Sequence, residues 1–106
     1  MPREVLPTVA EGTAIKQPLR LREVLQAVRA SGGQTVAVPE ADIVAAVRKL
    51  AASGLYAEPT SATAAAALNV LEARGAIKSG ERTVVLLTGT GIKSTQFMTD
   101  LYTAPA

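Results

Sequence analysis

One run of five residues, Thr83 to Leu87, constrains the fold of this chain more than any other stretch. Each residue in the run is β-branched or leucine, and polar and apolar positions do not alternate. A strand that is buried on both faces, as in a parallel sheet covered by helices, has this composition. The run therefore predicts a central strand in an α/β fold.

The end of this predicted strand is a candidate ligand site. The run stops at Thr88, and Gly89 and Gly91 follow it. In open α/β sheets, ligands bind where the chain leaves the sheet at the carboxyl ends of strands. A hydroxyl at that point, beside glycines that let a ligand approach the backbone, is typical of such a site. The alternative is an ordinary strand-to-loop turn, and spacing alone does not separate the two.

The first half of the chain predicts two helices with a short strand between them. The first helix spans residues 19–31 and ends at two glycines. Residues 34–38 predict the strand, and Pro39 then opens a second helix that closes at Ser53-Gly54. The apolar positions at helical spacing in these two helices are Leu21, Val24, Leu25, Val28, Ile43, Val44, Val47, Leu50 and Ala51.

A third, alanine-rich helix separates the second helix from the central strand. Thr60 or Ser61 is predicted to cap its start, and Gly75 to end it. Its alanines favour a helix and let another backbone come close. Residues 78–82 form a polar turn into the strand, and weak helical spacing follows from Ile92 to Tyr102.

These elements predict an α/β fold, a partial three-layer arrangement with few strands and flanking helices. The single domain divides into a loop over residues 1–18, an α/β body over 19–93 and a tail over 94–106. Two strands are few for such a sheet, so we expect the body to be incomplete. Alanine supplies much of the 48% hydrophobic content. The core should therefore be thin, and we expect apolar surface to be covered in a homo-oligomer.

The composition excludes several kinds of function. The chain has no cysteine and no histidine, so it lacks disulfides, thiolate metal sites and the commonest general base and zinc ligand. The net charge is only +2, and aromatic residues make up 3% of the chain, so a nucleic-acid surface is not indicated. No apolar run reaches the length of a membrane span, and the N-terminus is not a signal peptide. We therefore predict a cytoplasmic protein that binds neither nucleic acid nor membrane.

Two acidic residues are further candidates for a site. Glu58 precedes Pro59 at the start of the third helix, and Glu11 lies beside Gly12 in a segment of small residues. Each has an alternative explanation. Glu58 can simply favour the helix N-terminus electrostatically, and the segment around Glu11 can be a surface turn. The arginines of the first helix, in the same way, form a solvated face.

Two motifs with a helix between them resemble the C-terminal part of threonine synthase and its close relatives. These are Glu58-Pro59-Thr60-Ser61-Ala62 and Leu87-Thr88-Gly89-Thr90-Gly91. The Thr-x-Ala-x-Gly core of residues 8–15, and residues 23–33, resemble the preceding segment, so the similarity extends over residues 7–93. These enzymes belong to fold type II of the pyridoxal-phosphate enzymes, the tryptophan synthase β family. The motifs do not separate threonine synthase from threonine dehydratase or serine racemase relatives.

The resemblance implies roles for individual residues in binding pyridoxal 5'-phosphate. Thr88 matches the hydroxyl residue that hydrogen-bonds the pyridine nitrogen, and Glu58 matches the acid that lies close to the ring. Gly12 matches a glycine whose backbone passes near the ring, and Glu11 matches its neighbour on the substrate side. Gly89 matches the turn that brings the strand end to the ring.

The resemblance also implies what this chain lacks. The Schiff-base lysine and the glycine-rich phosphate loop of the family lie in a preceding part of the enzyme. It gives no reason to assign Lys16, Lys78 or Lys93 as that lysine. We therefore expect a fragment of the large domain of a fold type II enzyme, which lacks the catalytic lysine and is inactive alone. Its partners would be the missing N-terminal part and a small amino-acid substrate.

The parent enzyme would then be a lyase of amino-acid biosynthesis. Its reaction would be β,γ-replacement or elimination on an amino acid such as O-phosphohomoserine. Two alternatives stay open from the sequence. One is a fragment of a threonine or serine dehydratase-like enzyme, and the other is a free-standing, non-catalytic module for binding or assembly.

Overall fold

Four α-helices carry the structure of residues 4–103, the part of the chain that this computed structural model describes. They are α1 (Leu21–Ala30), α2 (Glu40–Ala52), α3 (Pro59–Ala73) and α4 (Thr95–Thr103). Single 3₁₀ turns at Glu11–Thr13 and Gly91–Ser94 precede α1 and α4. Residues 1–3 and 104–106, which belong to the predicted loop and tail, lie outside the described residues.

Helices α2 and α3 form the centre of the fold. The α2 side chains Ile43 and Val47 are buried, as the apolar spacing predicts. On α3, Ala62 is 0% exposed and belongs to the same buried cluster, and Ala66 is also buried. Because alanine ends at Cβ, the two helices approach closely, and the core is thin as the composition predicts. Ala10 and Met98 complete the buried cluster.

The ends of α2 and α3 are where the glycines place them. Gly54 has a φ of +86° and Gly75 a φ of +71°. Directly after Gly54, the Leu55 N–H donates to the carbonyl of Leu50 at 2.9 Å. The N–H of Ala76 closes α3 in the same way. These are Schellman endings, in which a left-handed glycine lets the next residue satisfy a terminal carbonyl.

Neither predicted strand forms among residues 4–103. Residues 34–38 and 81–89 belong to no strand, and an isolated antiparallel bridge between Ala57 and Thr90 is the β pairing recorded there. A strand requires a neighbouring segment to pair its N–H and C=O groups, and within residues 4–103 the second run has such a partner only at Gly89, whose carbonyl accepts the N–H of Glu58. The α/β prediction is therefore not confirmed, since the described structure is helical.

The prediction that the central run is buried on both faces is also wrong within this chain. Val84 is 86% exposed and Leu86 is 73% exposed, whereas Val85 and Leu87 are half-buried. Alternate side chains of an extended segment point to opposite faces, so only one face of this run is partly covered. The predicted apolar stripe of α1 is similarly unpacked, because that helix contributes no buried residue.

Residues assigned by sequence to the tail form part of the packed structure. Helix α4 places Met98 in the core at 2% exposure, with Phe97 and Leu101 packed against the same cluster. The weak helical spacing of this stretch did not indicate this packing, because the residues that Met98 packs against, such as Ala10 and Ile43, lie far away in the sequence. No helix among residues 4–103 has the length and apolar character needed to cross a membrane.

The exposed apolar surface generates a prediction about association. We expect the isolated chain to form a dimer or higher oligomer at millimolar concentration, because Val84 and Leu86 lie exposed on an unpaired extended segment. Sedimentation velocity measures this directly. Replacing both residues with lysine should shift the distribution towards monomer, whereas Thr99→Ala on the exposed side of α4 should not. A wild-type chain that sediments as a clean monomer at this concentration would contradict the prediction.

Candidate functional site

The start of α3 and the Thr88-Gly89 stretch lie against each other. The N–H of Glu58 donates to the carbonyl of Gly89 at 3.1 Å. This hydrogen bond flanks the bridge between Ala57 and Thr90, so the two motifs of the sequence meet as a short antiparallel pair. The structure thus brings Glu58 together with two other predicted site residues, Thr88 and Gly89, which lie about thirty positions later in the chain.

Ser61 provides the side-chain connection between the two motifs. The N–H of Gly89 donates to Ser61 Oγ at 2.6 Å. Ser61 Oγ also shares a hydrogen bond with Thr88 Oγ1, at 3.2 Å. Ser61 is 2% exposed, whereas Thr88 is exposed. The serine therefore contacts the threonine hydroxyl from its buried side. The sequence does not indicate this role, because a serine in the first turn of a helix most simply predicts a cap.

The carboxylate of Glu58 occupies the space beside Gly89 where a side chain would otherwise stand. A Cβ built on Gly89 would lie 2.6 Å from Glu58 Cδ, closer than real Cβ atoms approach. A larger residue at position 89 would therefore displace the carboxylate. The glycine is needed for this contact within the chain, in addition to any approach of a ligand.

The predicted substrate-side segment is held on the same turn of α3. The N–H of Gly12 donates to Thr60 Oγ1 at 3.1 Å, one residue before the serine that binds Gly89. A Cβ on Gly12 would lie 2.8 Å from the methyl group of Thr60. Two consecutive hydroxyl residues of α3 therefore receive backbone N–H groups from two distant segments of the chain.

The prediction that Thr60 or Ser61 caps α3 is wrong. The residue at the N-cap is Glu58, whose side chain makes no capping hydrogen bond, and Pro59 is the first helical residue. Proline favours this first position because its missing N–H would have no helical partner there. The two hydroxyls consequently lie inside the helix, where they are available to the neighbouring loops.

A second contact fixes the segment around Glu11 to α2. The carboxylate of Glu40 accepts hydrogen bonds from the Thr8 hydroxyl and from the N–H of Val9, the latter at 2.9 Å. The Thr8 hydrogen bond, followed by that of Val9, lowers the pKa of Glu40. Glu40 lies in the first turn of α2, where an acid favours the helix N-terminus, and no local signal indicates a partner 32 residues away.

Glu11 and Thr88 lie in separate depressions of the surface. Glu11 is exposed in an open cleft, whose wall also includes Glu40, Lys93 and Phe97. Thr88 and Gly89 border a second depression, beside Tyr56. The described residues therefore form two separate open depressions. The first turn of α3 connects them, because Thr60 binds Gly12 and Ser61 binds Gly89. They do not enclose a cavity around all five predicted site residues.

The lowered pKa of Glu40 leads to a prediction about pH. Its ionised form is favoured in the folded chain, so its stabilising contribution is present above the unfolded-state pKa and is lost as pH falls through the folded pKa. We expect the Val9 amide chemical shift to titrate in acid, below the usual range of a glutamate, and Glu40→Gln to abolish that titration. Asp42→Asn, in the same helical turn, should preserve it. A Val9 shift that titrates in the Glu40→Gln variant as in wild type would contradict the assignment.

Comparison with known proteins agrees with the motifs. The sequence model of the family described as "Pyridoxal-phosphate dependent enzyme" matches residues 1–89. The threonine synthase of Methanocaldococcus jannaschii is 38% identical over 87 residues, which are 81% of this chain and 22% of that protein. The threonine synthase of Methanosarcina acetivorans is 35% identical over 105 residues, 98% of this chain and 26% of that protein. The threonine synthase of Halalkalibacterium halodurans is 36% identical over 87 residues, 81% of this chain and 25% of that protein.

The chain spans about a quarter of the length of these curated relatives. The resemblance to the threonine synthase group is therefore confirmed for a segment of those proteins. Since the family match extends over most of the sequence, this chain belongs to the family of pyridoxal-phosphate-dependent enzymes.

Proposed function

We propose that this chain forms the pyridine-ring side of the cofactor site in a threonine synthase-like enzyme. The observation that carries the proposal is the contact of Ser61 with both Thr88 and Gly89, which joins the two family motifs. The remainder of the enzyme would supply the Schiff-base lysine and the phosphate-binding loop. The similarity of this chain to about a quarter of each relative supports such a division.

The residues present fit one edge of pyridoxal phosphate. A pyridine nitrogen needs a hydrogen-bond partner, and Thr88 offers an exposed side chain at the end of an extended segment. Ser61 supports this hydroxyl, and the Glu58 carboxylate lies beside the adjacent glycine. The backbone N–H of Gly12 donates to Thr60, the residue that precedes Ser61 on α3. A neutral hydroxyl such as that of Thr88 can donate a hydrogen bond to a ring nitrogen, which is the interaction that this edge of the cofactor needs.

The chemistry of Thr88 indicates a class of reaction. Pyridoxal phosphate, when bound, supplies an electron sink for reactions at the carbon atoms of an amino-acid substrate. A neutral hydroxyl can hydrogen-bond the ring nitrogen, but it does not keep that nitrogen protonated as a carboxylate would. The weaker electron sink suits elimination and replacement better than transamination. We therefore favour a cytoplasmic lyase that performs β,γ-replacement or elimination on an amino acid such as O-phosphohomoserine.

The proposal that the Schiff-base lysine lies outside this chain can be tested on the isolated chain. We expect no stoichiometric, reducible adduct on a single lysine when the chain is mixed with pyridoxal phosphate and treated with borohydride. Intact-mass spectrometry measures the adduct. The complete enzyme should instead carry one adduct, on a lysine outside these 106 residues. A specific adduct on Lys16, Lys78 or Lys93 of the isolated chain would contradict the proposed division of the site.

The role of Thr88 can be tested in the complete enzyme. Thr88→Val keeps the shape of the side chain but removes the hydrogen-bond partner of the ring. We expect a loss of about 1–3 kcal/mol, seen as weaker cofactor binding or lower turnover. Thr88→Asp should favour the protonated ring and change the absorbance of the bound cofactor. Thr83→Val, at the opposite end of the same segment, serves as the matched control.

If Thr88→Val equals wild type in cofactor affinity and turnover, Thr88 is only the end of an extended segment. The alternative from the sequence, an ordinary turn at this position, would then be correct.

A further inference from the structure

Ser61 is the only fully buried polar side chain among residues 4–103. Burying a hydroxyl is unfavourable unless its hydrogen-bonding capacity is used. Ser61 Oγ has two neighbours, the N–H of Gly89 at 2.6 Å and Thr88 Oγ1 at 3.2 Å. The direction of the second hydrogen bond determines what Thr88 can offer to a ligand.

A balance of hydrogens assigns that direction. A serine hydroxyl carries one hydrogen and two lone pairs, and the Gly89 N–H must occupy a lone pair. If Ser61 donates its hydrogen to Thr88 Oγ1, both groups of the serine are satisfied. If Thr88 donated instead, the buried hydrogen of Ser61 would need another acceptor, and the described residues provide none within hydrogen-bonding distance.

We propose that Ser61 is a positioning residue that donates to Thr88 and thereby directs the Thr88 hydrogen outwards, towards an unprotonated aromatic nitrogen. This inference rests on the proposed function and deepens it. With its oxygen engaged by Ser61, the Thr88 hydroxyl retains its hydrogen for an acceptor on the exposed side. The opposite direction would leave Thr88 able only to accept, which would suit a protonated ring. The buried serine thus selects the protonation state of the cofactor that Thr88 binds.

The experiment is a double-mutant cycle in the complete enzyme that contains this chain. The variants are Ser61→Ala, Thr88→Val and the combination of both, and Thr63→Ala on the same helix is the control. The measured quantity is the affinity of the apoenzyme for pyridoxal 5'-phosphate, from cofactor absorbance or fluorescence. The same titration uses 1-deaza-pyridoxal 5'-phosphate, in which a C–H group replaces the ring nitrogen.

We expect Ser61→Ala to weaken pyridoxal phosphate binding about three- to tenfold, the usual effect of losing one hydrogen bond. That effect should disappear in the Thr88→Val background and with the deaza analogue, because Ser61 acts only through Thr88 and the nitrogen. Ser61→Thr, which keeps the hydroxyl, should restore binding. Thr63→Ala should leave the affinity unchanged.

A measurement on the wild-type enzyme covers the case in which Ser61→Ala does not fold. The ¹⁵N chemical shift of pyridoxal phosphate labelled at the ring nitrogen should show an unprotonated, hydrogen-bonded nitrogen at neutral pH. A protonated nitrogen would overturn the proposed direction of the hydrogen bond, whatever the variants do.

The outcomes also separate this inference from the proposed function. If Thr88→Val weakens binding but Ser61→Ala does not, or if the two effects simply add, the positioning role is overturned and the function of Thr88 stands. If Thr88→Val has no effect on pyridoxal phosphate binding, the proposed function fails, and the inference fails with it.

Discussion

The buried hydroxyl of Ser61 is the contact on which the geometry of the candidate site depends. It accepts the N–H of Gly89 and contacts Thr88, and it lies on a helix whose first turn also receives Gly12 through Thr60. An unsatisfied buried hydrogen-bonding group costs about 1–3 kcal/mol, so the loop position is strongly preferred over one that would leave Ser61 unpaired. Helix α3 therefore fixes the positions of the two loops, since its Thr60 and Ser61 bind Gly12 and Gly89.

This arrangement requires that α3 itself be held firmly, and its alanines achieve this. Ala62 lies in one buried cluster with Ile43 and Val47 of α2. Close approach of the two helices fixes the first turn of α3, but alanine buries little area per residue. The consequence is a small core, with large apolar residues such as Leu86 left at the surface. The same alanine-rich composition that lets the two helices approach closely therefore also leaves apolar surface exposed.

The elements that the sequence predicts correctly are those whose causes are local. Helix α1 was predicted over residues 19–31 and spans Leu21–Ala30, and Gly54 and Gly75 end the following helices as expected. Helical spacing and left-handed glycines act within a few residues, so they are visible in the chain itself. The predictions of strands were wrong because their cause is not local: an extended run becomes a strand only when another segment pairs with it.

The candidate site shows the same division. That Glu58 and Thr88 lie together could be predicted only through the family resemblance, because about thirty residues separate them. The hydroxyl contacts of Thr60 and Ser61 could not be predicted, since the same residues in the first turn of a helix usually act on their own backbone. The hydrogen bonds to Glu40 come from a segment 32 residues earlier, and nothing in the local sequence identifies that acceptor.

Three glycines near the candidate site, Gly12, Gly89 and Gly91, illustrate how packing and binding can require the same residue. Three side chains at alternate positions before and within the first turn of α3 each cover one glycine. The pairs are Tyr56 with Gly91, Glu58 with Gly89, and Thr60 with Gly12. At each glycine, an added Cβ would come within 2.8 Å or less of the covering side chain. A glycine beside a ligand site is usually explained by the approach of the ligand to the backbone. Here the protein's own side chains already occupy the space of the missing Cβ atoms. A substitution at Gly89 would therefore first displace the Glu58 carboxylate, and would alter the site even where no ligand touches the glycine.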